Sequence, residues 1–389
     1  MLKNVWLLLA LLMGTAVLCS DVSAQEAVES QFGIKIYGKL KLDMSYDDSR
    51  VNTGDFANYV MSEASNKDDS EFNMTASETR LGLNFSGPDY EDLETSGQLE
   101  IDFFDISLAE NKARPYLRHA FVKVNFPEED MDIIAGQTWD VIAPLTPTTL
   151  NYAVMYCQGN IAMRHPQLRL TKRAAIDDKT KLALQLALTR TIGDAATYSP
   201  GDTGEDADFP TLQARLALSL PLLTAAPSTI GIFGHYGTEE YDLTADGKTS
   251  KDYTSSSAGV DLTLPITAKI GLKGEFWQGK NMDDYLGGIS QGVNTTLQQA
   301  IAGQGGWICL SFGPFTDWRF NLGAGIDDPD DDDLSAGNRT KNRILYGNVL
   351  YNLTEAVQVG LELSSLETEY KGQETADAMR VQAAMSYTF

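Results

Sequence analysis

Cysteine is nearly absent: Cys19, Cys157 and Cys309 are the only three in 389 residues. Cys19 lies in a stretch expected to be removed, and the other two are far apart in different kinds of segment. A disulfide framework is therefore excluded as the basis of the fold, although an exported chain permits one bridge. Histidine is equally scarce, at 119, 165 and 235, and none sits in a recognisable nucleophile motif. No Cys/His ligand spacing, phosphate loop or cofactor signature is present, so no cofactor and no enzymatic activity are expected. Basic residues are outnumbered, 30 Lys and Arg against 54 Asp and Glu, and the net charge of −24 argues against nucleic acid as a partner. Long apolar runs are missing beyond the first two dozen residues. No later segment nears the roughly 20 apolar residues of a spanning helix. Any membrane insertion has to be made by strands.

The one apolar run, residues 5–18, follows Lys3 and precedes the small residues Val22, Ser23 and Ala24. Residues 1–24 read as a cleaved signal peptide, 25–32 as a short periplasmic segment, and 33–389 as one domain. An anchor is disfavoured because the run is short, and a lipoprotein site at Cys19 because Leu18 stands where a small residue is expected.

What the chain does have is alternation of period two, from end to end. Ile36, Leu40, Leu42 and Met44 share one face, while Lys35, Tyr37, Lys39, Lys41 and Asp43 take the other. Leu81, Leu83 and Phe85 oppose Glu78, Arg80 and Asn84; Leu99, Ile101 and Phe103 oppose Gln98, Glu100 and Asp102. The chain closes in the same way, with Met379, Val381, Ala383, Met385, Tyr387 and the terminal Phe389 on one face. Sixteen such segments begin near residues 33, 74, 93, 115, 131, 162, 180, 209, 228, 256, 268, 305, 317, 342, 356 and 378.

The connections alternate short and long. Short ones fall at 87–92, 127–130, 221–227, 265–267, 313–316 and 353–355. Long ones fall at 47–72, 139–160, 191–208, 239–255, 280–304 and 327–341, with shorter members at 105–114 and 368–377. Short periplasmic turns, long external loops and an even strand number describe an outer-membrane barrel. A soluble sandwich needs a dry core between two inner faces, and the polar faces here carry too many charges for that. The fold class is all-β: a transmembrane antiparallel β-barrel of 16 strands in the outer membrane of a Gram-negative-type bacterium. Aromatics at strand ends, including Phe85, Phe126, Tyr351, Tyr387 and Phe389, suit interfacial girdles, although strand propensity alone accounts for some of them.

Acidic residues cluster at 68–71, 128–130, 283–284 and 327–333, between the alternating segments. They read as solvated loop faces or as sites bridged by divalent cations to lipid phosphates. The connection at 140–156 is unlike the others, being nearly uncharged after Asp140 and rich in apolar and aromatic residues. It is expected to fold inward and narrow the channel, with Leu145, Thr146, Tyr152 and Tyr156 as constriction residues; a surface lid is the rival reading.

Around this loop the chain resembles the DcaP-like trimeric porins. The resemblance rests on Ala-Gly-Gln-Thr-Trp-Asp at 135–140, Arg-His-Ala-Phe-Val at 118–122, Asn-Met-Asp-Asp-Tyr-Leu-Gly-Gly-Ile-Ser-Gln-Gly-Val-Asn at 281–294, and the terminal Phe389. It implies a sixteen-stranded homotrimeric channel with loop three as constriction, in a family linked to dicarboxylates and other anionic small molecules. One departure is that residues 25–31 leave no room for the helical N-terminal extension some members carry.

Alternation points Lys39, Lys41, Arg80, Lys123, Arg169, Arg215 and Lys273 into the lumen. Arg118 and Arg164 flank the constriction on the wrong parity; a bulge near Pro166 is expected to turn Arg164 inward. Such a basic wall suits carboxylate solutes, but Glu78, Glu100, Asp102 and Glu275 also face inward. A mixed-charge lumen of paired ions with little selectivity is the competing expectation. The function expected is passive diffusion of small hydrophilic solutes, leaning toward anions. A barrel hydrolase and a structural surface-anchoring barrel are the alternatives.

Overall fold

The computed structural model describes residues 32–389 except 67–68, 89, 91, 105–112, 194–203, 206 and 244–248. The expected leader, the segment 25–31, Cys19, Asp68 and most of the connections at 105–114 and 191–208 lie outside the described residues.

Sixteen strands close into one antiparallel barrel. In chain order they are β1 (Gly33–Asp47), β2 (two halves, Glu71–Thr75 and Arg80–Ser86), β3 (Glu94–Asp102), β4 (Tyr116–Phe126), β5 (Met131–Trp139) and β6 (Arg164–Ala175). There follow β7 (Lys181–Thr189), β8 (Thr211–Pro221), β9 (Pro227–Asp242), β10 (Ser250–Pro265) and β11 (Ile270–Lys280). The last five are β12 (Ala302–Phe315), β13 (Trp318–Pro329), β14 (Arg339–Asn352), β15 (Val357–Tyr370) and β16 (Ala376–Thr388). Both halves of β2 pair with β1, so they act as one strand broken at 76–79. Each strand then pairs with the next, and β16 returns to β1 in the register Lys39↔Thr388 to Asp47↔Arg380.

The strand count matches the alternation in the sequence, because a half-wet sheet with one face in lipid must switch polarity at every residue. Strand ends differ more. β9 and β10 keep pairing up to Asp242↔Ser250, so the connection expected at 239–255 shrinks to 243–249. Period-two polarity weakens there, since both faces of a hairpin above the membrane meet water. Along the middle of the wall the outer face is apolar: Ile36 is 66% exposed, Leu345 64% and Val122 60%. Hydrophobic side chains so exposed are stable only against lipid. At the turn end, Trp318 stacks on Phe320 (centroids 6.3 Å apart) and meets Tyr351 at 4.4 Å, forming part of an aromatic girdle. Turn chemistry is local: in the turn after β6, Asp177 accepts from the backbone N–H groups of Lys179 and Thr180, both at 2.8 Å. Those donors hold its carboxyl below the usual carboxylate range.

Closure ends on the last residue. Gly38 N–H donates to Phe389 O and Phe389 N–H to Gly38 O, each at 3.0 Å. A Cβ on Gly38 would stand 2.8 Å from the Phe389 ring and 2.3 Å from Arg80 O, so only glycine leaves room for the terminal aromatic. Deleting Phe389 removes both bonds, a loss of about 1–3 kcal/mol. Heat-modifiability on SDS gels is expected to show unfolding a few degrees lower, and a larger drop for Gly38→Val.

Candidate functional site

Loop three (140–163) lies inside the barrel, and inward side chains from much of the wall suspend its backbone. Asp140 anchors the start, bonding His165 Nδ1 (2.8 Å) and accepting from Met163 N–H (2.8 Å) and Gln213 Nε2 (3.0 Å). Val141 N–H donates to Gln213 Oε1 on β8 at 2.8 Å, and Leu145 N–H to Glu275 Oε1 on β11 at 2.7 Å. Lys273 Nζ donates to Thr146 O. Asn348 Nδ2 on β14 donates to Thr148 O at 2.8 Å, and Leu150 N–H donates to Glu362 Oε2 on β15 at 2.6 Å. Lys41 Nζ on β1 and Gln382 Nε2 on β16 both donate to Leu150 O, at 3.2 and 3.1 Å. Tyr152 then reaches Arg118 and Asp102 on β4 and β3. The returning limb is pressed so close to β12 and β13 that a Cβ on Gly159 would sit 2.1 Å from Gly306 O. On Gly325 it would meet Gln158 O at the same distance. Glycine at both positions permits that approach.

Two further connections join loop three. Residues 48–66, read from sequence as an external loop, bury Val51, Ala57 and Val60 against Leu366, Tyr370, Ala376 and Ala378. Residues 281–301 place Tyr285 and Met282 in a cluster with Ile142, Ile161, Phe233 and Trp277. All three meet at Cys157, whose Sγ is 3.0 Å from Ser290 Oγ and accepts from Asn58 Nδ2 at 3.5 Å. Cys157 and Cys309 are both buried and free.

Of the expected constriction residues, Thr146 is exposed and Leu145 is half-buried. Tyr156 is enclosed in an aromatic cluster with Phe56 and Ala153, against which Trp139 and Tyr152 pack. The exposed edge of the loop is formed by Pro144 and Thr146, with Thr148 and Thr149 half-buried, so it is neutral.

The cations divide into two groups. Lys39 and Lys41 pair with Glu78, which projects from the break in β2, and Lys41 also reaches Asp43 at 3.1 Å. Arg215 forms a two-pronged pair with Asp261, Nε–Oδ2 at 2.8 Å and Nη2–Oδ1 at 2.7 Å. Arg118 bonds Glu100 at 2.7 Å and Asp102 at 2.8 Å. Arg80 stands 3.5 Å from Glu100, and Lys123 stands 3.7 Å from Asp132. Among the described residues Lys273, committed to Thr146 O, has no carboxylate within ion-pair distance, and neither do Arg164 and Arg169. Both arginines converge on Trp139: the Arg164 guanidinium lies 4.4 Å from its ring centroid, and Arg169 Nη1 lies 3.4 Å from its carbonyl. Tyr116 flanks Arg164 at 6.0 Å, and the Nε atoms of both arginines are buried without a hydrogen-bond partner.

The bulge expected near Pro166 is absent, and Arg164 reaches the interior without it, as the first residue of β6, against Trp139, which packs on the Phe56–Tyr156 cluster. β5 and β6 pair without a slip from Trp139↔Arg164 to Met131↔Lys172. A bulge occurs instead in β4, where Glu100 faces His119 but Ile101 faces Leu117, leaving Arg118 as the extra residue. The buried carboxylates of Glu100 and Asp102 supply the reason, since turning Arg118 inward neutralises both. The histidines are buried in polar networks: His119 by Thr138 (3.1 Å), His165 on Asp140, and His235 between Ser257 (2.7 Å) and Ser255 (2.9 Å). Ser255 Oγ is committed to Asn281 O at 2.8 Å. The acidic run at 327–333 is largely engaged: Asp327 accepts from Ile289 N–H (3.2 Å), Asp328 pairs with Lys341 (3.2 Å), and Asp333 accepts from Gln299 and Ala302. Among the described residues no group of three or more His, Cys, Asp or Glu converges as a metal site requires.

No protein-family model matches the chain, and no curated protein matches it in sequence. Among solved structures it superposes on the outer membrane channel DcaP of Acinetobacter baumannii with a TM-score of 0.75, at 18% identity. That match covers 93% of this chain and 99% of the other. The fold is that of a DcaP-like porin. An anion-selective porin from Comamonas acidovorans matches at a TM-score of 0.59 and 11% identity, covering 92% of this chain and all of the other. OmpT of Vibrio cholerae in its trimer form matches at 0.55 and 9% identity, with the same coverages.

Within the DcaP-like barrel, sequence reasoning missed Glu362, Gln382 and Asn348 as loop anchors and Trp139 as the hub of the free arginines. Trp139 was visible in the 135–140 motif; no signal marked the carboxylates as acceptors of loop amides. Glu362→Ala leaves the buried Leu150 amide unsatisfied, costing about 1–3 kcal/mol, and Glu275→Ala leaves the half-buried Leu145 amide without its acceptor. Single-channel recordings are expected to show larger, noisier conductance for the double variant, and near-native traces for the two Gln variants. Cys157 and Cys309 are expected to stay unlabelled by maleimide in the folded barrel and to react once it is unfolded.

Proposed function

We propose that the chain is an outer-membrane porin, exported through a cleaved leader at 1–24, that passes small hydrophilic solutes passively as a homotrimer. The likeness to outer-membrane channels, one in trimer form, supports channel and assembly. Its lumen prefers anions, of the dicarboxylate type that the family resemblance suggests.

One observation carries the preference: Arg164 and Arg169 converge on Trp139 with no carboxylate partner among the described residues. A paired arginine contributes little net potential, because its carboxylate cancels it. An unpaired guanidinium held against a low-dielectric wall keeps a positive potential and a planar donor fork for a carboxylate. Stacking on Trp139 holds the Arg164 fork in place without neutralising it. The neutral edge of loop three adds hydroxyls and no opposing charge.

The paired ions favour a second reading, a lumen with no net preference. Reversal potentials across a KCl gradient separate the two. Wild-type channels are expected to favour chloride, and the ratio in Arg164→Gln/Arg169→Gln to fall several-fold toward unity. The double variant Arg215→Gln/Asp261→Asn, which removes a neutral pair, should leave the ratio nearly unchanged. Equal ratios in all three proteins would assign the lumen to the unselective reading, and absence of conductance steps would remove the channel itself.

A further inference from the structure

On the outer wall of the barrel, across β11 to β15, lies a groove enclosing about 690 Å³. Its walls are Phe276, Ile308, Ile326 and Leu345, all exposed apolar side chains on the membrane face. Gly306 and Ala324 form its floor. The side chains that alternation would place there are missing or minimal, so the apolar band is notched.

The rim at one end is of another kind. Gln304, Asp328, Arg343, Ser365 and Glu367 border the same groove. Arg343 pairs with Glu367 and, at 2.9 Å, with Glu369; Asp328 pairs with Lys341 at 3.2 Å. The Arg343 and Glu367 side chains are 45% and 41% exposed. Exposed pairs of this kind contribute little and exchange readily.

Depth along the barrel identifies what meets that rim. From the girdle residue Trp318 to Asp328 is ten residues of β13. At about 3.3 Å per residue and a strand tilt of about 40°, that is about 25 Å of height, the thickness of the apolar band of such barrels. The rim therefore lies where the external headgroups begin, and the groove runs down from it into acyl-chain territory.

We propose that this groove is a specific site for an outer-leaflet lipid of the acylated sugar-phosphate class, the class of lipid A. One acyl chain lies between Phe276, Ile308, Ile326 and Leu345, over the Gly306 and Ala324 floor. The headgroup phosphate exchanges into the Arg343 fork, where a charge-assisted pair replaces an exposed one. Sugar hydroxyls donate to Asp328 and Glu367, which a headgroup carrying phosphate alone would only repel. The mixed-sign rim is what selects a sugar phosphate. The site rests on the outer-membrane reading and is independent of channel selectivity.

Native mass spectrometry of the detergent-purified full-length barrel, incubated with hexa-acylated lipid A or with phosphatidic acid, whose headgroup is phosphate alone, tests it. The wild type is expected to retain one lipid A per chain, and at least about tenfold less phosphatidic acid. Ala324→Trp, which fills the floor from the lipid side, and Arg343→Glu, which reverses the fork, should each lose about tenfold of the lipid A retention. Either variant suffices should the other fail to fold. Equal retention in wild type and variants would show annular lipid only and overturn the site. Equal or greater retention of phosphatidic acid would overturn the sugar-phosphate assignment. A variant that shifts the oligomer to monomers on size exclusion would give the groove to a second copy instead.

Discussion

Inside hydrocarbon a peptide group has no water to bond to, so every strand here must have two neighbours. The rest of the molecule depends on that requirement. It forces β1 and β16 together through Gly38 and Phe389, and closure leaves one face for lipid and one for the interior. Once the faces are separated, the interior becomes the place where charged side chains can be held away from lipid.

Charge in that interior does two kinds of work. Most carboxylates are consumed locally: Glu78, Asp261, Glu100 and Asp102 neutralise neighbouring cations, whereas Glu275 and Glu362 receive loop amides. A buried carboxylate accepting N–H groups is a strong fixture because its lone pairs have no alternative partner. Loop three is thus held by acids while its exposed edge stays neutral. Arg164 and Arg169, which no carboxylate pairs among the described residues, gather instead at Trp139.

The strand count and the inward loop were legible because both rest on patterns local to a few residues. Period-two alternation marks strands such as Lys35 to Met44, and the uncharged run after Asp140 marks a loop that avoids bulk water. Arg118 shows where such reading stops. Its parity is outward in a regular strand, and it turns inward only because Glu100 and Asp102, on the neighbouring strand, lie beside it. Which lumen cations are cancelled is likewise a property of register: Arg215 meets Asp261 across an intervening strand, and no spacing along the chain announces it. The loop at 48–66 reads as external because it is long, yet Val51, Ala57 and Val60 seat it against β15 and β16.

The suspension of loop three also orders events in time. Leu150 O is held by Lys41 from the first strand and Gln382 from the last, and Leu150 N–H by Glu362 from the last but one. Those contacts join residues more than a hundred positions apart, so their loop-closure entropy must be met before they stabilise anything. The narrow section cannot be completed while the chain is still open. An unfinished barrel is therefore a wide one, and its interior is narrowed in the same step that closes its wall.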